Sequence, residues 1–234
     1  MAGKLYGIGV GPGDPELLTL KAVRLIQECD VLAVPGLKKE ETAAYQIVRQ
    51  AVPEAAGKEC LTLDMPMTKN REKLENSHEK AFLTLKTALD QGRNIAFLTL
   101  GDPCIYSTYN YMHQMALEAG YETEIVSGIP SFCAVSAKLN QGLVEQSQML
   151  HIIPSTYGIE EGMCLSGTKV LMKVGKKLGT VRERIQEETA QERKQHIAMI
   201  ENCGMKNEHI YRGIEEIPEQ AGYYSLMIVK EQKT

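Results

Sequence analysis

Short apolar runs alternate with amphipathic stretches from one end of the chain to the other. The runs predict strands over 4–10, 30–35, 59–64, 94–100, 121–127, 149–154, 168–175, 196–201, 208–212 and 223–230. Helical periodicity fills the gaps at 41–51, 70–91, 107–119 and 180–192. A first helix is expected to open at Asp14 as N-cap, with Pro15 in its first position and Glu16 at the positive end of its dipole. Leu18, Ala22, Leu25, Ile26 and Cys29 then form one apolar stripe. Gly92 and Gly120 stand where left-handed C-caps belong, and Thr180 and Glu183 have capping-box spacing. Helices separate the strands early, whereas strands cluster after residue 195. That order predicts an α/β protein of two lobes: residues 1–120, and a second lobe with a mixed sheet over 121–234, hinged between Glu118 and Val126.

Three turns at strand ends carry the candidate chemistry. The run Ile95 to Leu100 enters Gly101-Asp102-Pro103, after which Ser107-Thr108-Tyr109 opens a helix. Leu5 to Val10 enters Gly11-Pro12-Gly13-Asp14-Pro15, and Thr123 to Val126 enters Ser127-Gly128-Ile129-Pro130-Ser131. Open α/β sheets bind ligands at the carboxyl ends of their strands, so these turns mark a small-molecule site. Asp102 places a carboxylate there, suited to a cationic ligand or ribose hydroxyls and equally to capping a helix. Ser131 suits the N-cap of the following helix, whose start offers backbone N–H groups. Because position 12 is proline, the dinucleotide pattern G-x-G-x-x-G is absent, as is a phosphate loop ending in G-K-[ST]. A dehydrogenase is disfavoured on that ground.

Composition narrows the classes further. The 234 residues are 43% hydrophobic and 24% charged, with a net charge of −4. That balance argues against a sequence-independent nucleic-acid binder, which needs a basic face. No apolar run reaches the roughly 20 residues that cross a bilayer, and Met1-Ala2-Gly3-Lys4 leads directly into a strand, so the cytoplasm is the expected compartment. The six cysteines are scattered without a C-x-x-C pair, and the five histidines show no short ligand spacing, so no metal site is expected. The charge-dense stretch from Lys69 to Lys80 reads as a solvated helix face rather than a substrate clamp.

Taken in order, these segments resemble the tetrapyrrole methylases, S-adenosylmethionine-dependent enzymes of cobalamin and sirohaem synthesis. The matching residues are Gly7 to Leu20, the Gly101-Asp102-Pro103 turn, Gly128 to Ser131, and Ile200 to Cys203, so the resemblance spans essentially the whole chain. Thr99 to Thr108, with Ser131-Phe132, looks most like the branch that methylates precorrin-2 or cobalt-precorrin-2 at C-20. The resemblance implies a two-lobed fold, usually a homodimer, with the methyl donor in the cleft between lobes. It implies donor contacts from Pro12, Gly101, Asp102, Ile105, Ser131, Val174, Asn202 and Cys203, with Ser225 and Leu226 as additions. Ser127 and Pro130 depart from the family pattern, and Pro130 has no N–H to offer.

Methyl transfer to an already nucleophilic meso carbon asks for proximity and exclusion of water. The base that removes the meso proton is not identified by the sequence; Tyr106 is the first residue to inspect, its hydroxyl being expected near the donor, and it reads otherwise as a structural tyrosine. Lys173, Lys176 and Lys177 are candidates for substrate carboxylates, read otherwise as surface lysines. The competing readings are methylation of uroporphyrinogen III or another corrin-pathway carbon, and a nucleotide-binding regulatory module without catalysis.

Overall fold

The structure is a computed structural model that describes residues 1–155, 159–190 and 195–231. Its contacts divide the chain into two compact units, Met1–Pro130 and Ser131–Thr234.

The first unit is a five-stranded sheet of β1 (Leu5–Gly9), β2 (Val31–Pro35), β3 (Glu59–Leu63), β4 (Ile95–Thr99) and β5 (Thr123–Val126), in the order β3-β2-β4-β1-β5. Every pairing is parallel. The inner strands β1, β2 and β4 are covered on both faces and read as apolar runs without alternation, whereas the edge strands β3 and β5 carry Glu59 and Glu124. Ile8, Leu32, Val34, Ala96 and Leu98 face one side, where α1 (Leu20–Glu28) and α2 (Ala43–Ala51) pack. Leu5, Val31, Ala33, Ile95 and Phe97 face the other, under α3 (Arg71–Asp90) and α4 (Tyr109–Glu118).

The first helix differs from expectation. Asp14 does cap, accepting the Glu16 N–H at 2.9 Å, but only for the short 3-10 turn Pro15–Leu17. The chain returns to extended angles at Leu18 and Thr19, and Thr19 then caps α1 through the Ala22 N–H. Gly92 and Gly120 take the expected left-handed angles, with φ of 77° and 82°.

The boundary lies after Pro130 rather than after residue 120, because β5 pairs with β1 along Leu5–Ile8 and so belongs to the first sheet.

The second unit holds β6 (Leu150–Pro154), β7 (Thr168–Met172), β8 (Gln195–Glu201), β9 (His209–Arg212) and β10 (Ser225–Glu231), in the order β6-β7-β10-β8-β9. The sheet is mixed: β6 and β7 are parallel, and β10 runs antiparallel to both β7 and β8. Its helices are α5 (Ser131–Lys138), α6 (Ile159–Met163) and α7 (Leu178–Ala190). Leu171, Met199, Met227 and Val229 meet Ile159 and Met163 of α6 and Val181 and Ile185 of α7 in one core.

The strand expected to reach residue 175 stops at Met172, because Lys173 turns to φ 58°. A 3-10 turn, Val174–Lys177, then runs straight into α7, so Thr180 lies inside the helix and no capping box forms with Glu183. Residues 191–192 of the helix expected there lie outside the described residues.

Candidate functional site

In the first sheet, β1 and β4 are neighbours whose onward connections diverge. β1 leads through α1 toward β2 and one sheet edge; β4 leads through α4 over the opposite face to β5, on the far side of β1. Such a divergence opens a crevice at the strand ends, the usual place for a ligand in an open α/β sheet.

The crevice is built from backbone. The Val10 N–H donates to Thr99 O at 2.9 Å, and Gly11 and Gly101 exchange N–H···O bonds of 3.3 and 2.8 Å. Both glycines sit at φ 75°, an angle costly for residues with a Cβ. A Cβ on Gly128 would lie 2.3 Å from Gly101 O, and one on Gly9 would lie 2.5 Å from Gly128 N. The turns after β1, β4 and β5 therefore stack main chain on main chain. Gly7 has a different reason for being glycine: a Cβ there would fall 2.0 Å from the ring of buried Tyr109.

Asp102 ties the turns together. It is 8% exposed; its Oδ1 accepts the Cys104 N–H at 2.7 Å and its Oδ2 accepts the Gly128 N–H at 2.9 Å. The capping role considered for this carboxylate is thus replaced by a bridge between two loops. Pro12, Gly101, Asp102 and Ile105 all lie on this edge; Pro12 is buried and Ile105 half-buried, its N–H donating to Asp102 O. Ser131 follows Gly128 by three residues and opens α5. The Ser107 Oγ accepts the Tyr109 N–H at 3.1 Å, which starts α4 and ends the turn.

In the second sheet, antiparallel β10 brings its amino end beside the carboxyl ends of β7 and β8, with Leu226 opposite both Met172 and Ile200 and Ser225 opposite Glu201. Val174, Asn202, Cys203, Ser225 and Leu226 consequently share one edge. Asn202 has φ 54°, its N–H donating to Tyr224 O at 2.9 Å. The Ser225 hydroxyl donates to Gly222 O, and Glu201 accepts the Gly222 N–H.

Non-glycine residues at positive φ carry strain that concentrates at functional loops. Lys173 and Asn202 hold such angles immediately beyond β7 and β8, and Tyr106 (φ 50°) holds one in the loop between β4 and α4. Tyr106 is exposed. Lys173 lies over the Tyr223 ring, 5.1 Å from its centroid, whereas Lys176 and Lys177 are exposed on the 3-10 turn.

Sequence reasoning missed Gly128 as the partner of Asp102, although a glycine in a strand-end turn signals close backbone approach. It also missed Ser155, which sits just beyond β6 with its N–H on Met172 O. Its buried hydroxyl has no partner among the described residues. A serine after an apolar strand leaves no such signal.

Charge decides what the first crevice suits. None of the residues 9–15, 100–108 or 127–132 is lysine or arginine, while Asp14 and Asp102 are acidic. Phosphate sites need N–H cradles or cations. This edge suits a phosphate-free, cationic ligand.

The profile of the family described as Tetrapyrrole (Corrin/Porphyrin) Methylases matches residues 4–217. The chain belongs to the tetrapyrrole methylases. It is 35% identical to a probable cobalt-precorrin-2 C(20)-methyltransferase of Methanocaldococcus jannaschii, covering 98% of this chain and 97% of that one. A precorrin-2 C(20)-methyltransferase from a Sinorhizobium species is 30% identical over 97% and 95% of the respective chains. Uroporphyrin-III C-methyltransferase from Thermus thermophilus, solved with S-adenosyl homocysteine, shares the fold at a TM-score of 0.71. It is 20% identical, with 97% of each chain covered. In this tetrapyrrole methylase Pro130 contributes no N–H to the third turn, and the Gly128 N–H is already committed to Asp102.

Among the described residues, no cluster of His, Cys, Asp and Glu is placed to hold a metal ion, and no helix is long and apolar enough to cross a membrane.

Proposed function

We propose that this chain methylates precorrin-2, metal-free or cobalt-loaded, at C-20, with S-adenosylmethionine as donor, in assembly of the cobalamin ring. One observation carries the reading: full-length identity of 35% to a relative of that name. The chemistry of the crevice agrees with it. S-adenosylmethionine is a nucleoside without phosphate that supplies a methyl group on a cationic sulfur. The acidic, lysine-free turns at the β1/β4 crevice match that charge.

Pro12, Gly101, Asp102, Ile105 and Ser131 are the residues of the first edge and α5 start that would hold the donor. Val174, Asn202, Cys203, Ser225 and Leu226 form the set on the edge of the second sheet. Asp102, fixed by two N–H donors, keeps acceptor capacity on both oxygens for a hydroxyl hydrogen bond. Because its geometry is set before any ligand arrives, that contact costs little reorganisation. Stacked backbone turns supply orientation, and proximity is the main contribution asked of the protein. The reading includes a homodimer, which the family resemblance implies, and a cytoplasmic location.

The test is incubation with precorrin-2, its cobalt complex or uroporphyrinogen III, together with methyl-labelled donor, followed by NMR of the product. Label at C-20 alone is expected. Label on uroporphyrinogen III instead, or donor binding without transfer to any tetrapyrrole, overturns the assignment.

A further inference from the structure

Beyond the carboxyl end of β3, the same sheet borders a cavity of about 600 Å³ that no part of the site above uses. Its walls are the end of β3 with Asp64 and Pro66, and one face of α3. Cavities of this size commonly take small molecules, but such sites are usually apolar. This one is lined along the helix by Asn70, Lys73, Ser77, Lys80 and Thr84. Those positions follow i, i+3, i+7, i+10, i+14, a single polar stripe. It adjoins the apolar face formed by Ala81, Leu85 and Leu89, which packs on the sheet.

The charges on α3 are arranged unevenly. Arg71 pairs with Glu75 at 2.7 Å and Lys86 with Asp90 at 2.5 Å, each at the i,i+4 spacing that stabilises a helix. Lys73 and Lys80 have no acid three or four residues away on either side. Neither forms an ion pair among the described residues. Seven residues of helix separate them by about 10 Å, so two ammonium groups stand along one wall, with amide and hydroxyl groups between them. Asp64 and Glu72 also line the cavity, so its walls carry both signs of charge, with the two ammonium groups on the helix stripe.

β3 lies two strand spacings from β4, roughly 10 Å. A tetrapyrrole placed beside the β1/β4 crevice covers that distance through the width of its macrocycle together with the acetate and propionate arms on its rim. We infer that the α3 cavity binds carboxylate side chains of the tetrapyrrole, with Lys73 and Lys80 as the anion contacts. The inference rests on the proposed function for its ligand. The stretch that reads as a solvated face in the sequence is then half solvated and half binding wall.

Fluorescence titration with uroporphyrin III, a stable tetrapyrrole bearing the same two kinds of acid arm, tests the inference. The comparison uses the wild-type chain, the double variant Lys73→Ala/Lys80→Ala, and Lys86→Ala on the same helix. Loss of two exposed charge-assisted contacts is expected to weaken binding about tenfold. Lys86→Ala and S-adenosylhomocysteine affinity should stay at wild-type levels. Equal binding by the wild type and a folded double variant overturns the site, as does absence of binding by the wild type. Methyl transfer to precorrin-2 separates the two ideas. Transfer with the same KM in both proteins removes the cavity and leaves the function standing. Lysine-dependent binding without transfer removes the function and leaves the cavity.

Discussion

Asp102 Oδ2 receives the N–H of Gly128 across 2.9 Å, joining loops that are 26 residues apart in the chain. The other oxygen holds the Cys104 N–H, so one buried side chain fixes two strand-end turns at once. The bridge gives this residue a part in folding as well as in ligand binding. Asp102→Ala leaves two N–H groups without their acceptor, and an unsatisfied buried donor costs about 1–3 kcal/mol. We expect that loss of stability by urea denaturation, together with weaker S-adenosylmethionine binding by calorimetry. Asp102→Asn, which retains one acceptor oxygen, should fall between the two proteins.

Gly128→Ala presses a methyl group to 2.3 Å from Gly101 O and 2.7 Å from Gly9 C. Neither neighbour is a flexible side-chain end, so the turns must separate. Overpacking of this kind costs roughly 1–3 kcal/mol or more. The expected result is a lower denaturation midpoint and weakened donor binding. Gly120→Ala is the comparison, since no atom lies within 4 Å of a Cβ there and only its φ of 82° is strained.

Much of this arrangement was legible before any coordinates. All ten strands were marked, the clearest being buried parallel strands such as Ile95 to Thr99, which are nearly all apolar and run on to a glycine turn. What failed was local. Asp14 and Pro15 carry the signals of a helix start, yet Leu18 returns to extended angles and the long helix waits for Thr19. Thr180 and Glu183 have the right spacing for a cap, but the turn at Lys173 had already started the helical path. The positions Val174, Asn202 and Ser225 came from family resemblance, since their convergence depends on β10 entering antiparallel between β7 and β8. No spacing rule contains that pairing. Lys73 and Lys80 were visible as charges, but the missing partners became meaningful only beside a cavity.

Glu124 makes stability depend on acid. Its carboxylate bonds Lys21 at 2.7 Å and Lys4 at 2.8 Å, and these contacts lower its pKa to about 2 from 4.5. A depressed carboxylate contributes stability that is complete above the unfolded value and disappears as pH falls toward the folded one. The window is therefore from about pH 4.5 down to about 2. Side-chain exposures of 51% for Lys21 and 31% for Glu124 mean solvent screening, which limits the contribution to about 1 kcal/mol. Glu124→Gln should be less stable at neutral pH by about that amount. The difference between the two proteins should shrink across the window, as followed by thermal unfolding at each pH.

Cys104 offers a direct check on where the donor lies. The thiol is exposed two residues from Asp102, whereas Cys29 is buried with its pKa pushed up to about 12 by desolvation. Thiolate is the reacting form, and since burial and the neighbouring Asp102 raise the Cys104 pKa, exposure is what makes this thiol open to alkylation. Cys164 is also exposed but lies just beyond α6, at the helix end rather than on the edge shared by Val174 and Asn202. Iodoacetamide labelling read by mass spectrometry should modify exposed Cys104, Cys133 and Cys164 and spare Cys29. Saturating S-adenosylhomocysteine should slow Cys104 several-fold and leave Cys164 unchanged. Equal protection of both would indicate a general tightening of the chain. Unaltered labelling of Cys104 in the presence of bound ligand would place the donor away from the Gly101-Asp102 turn.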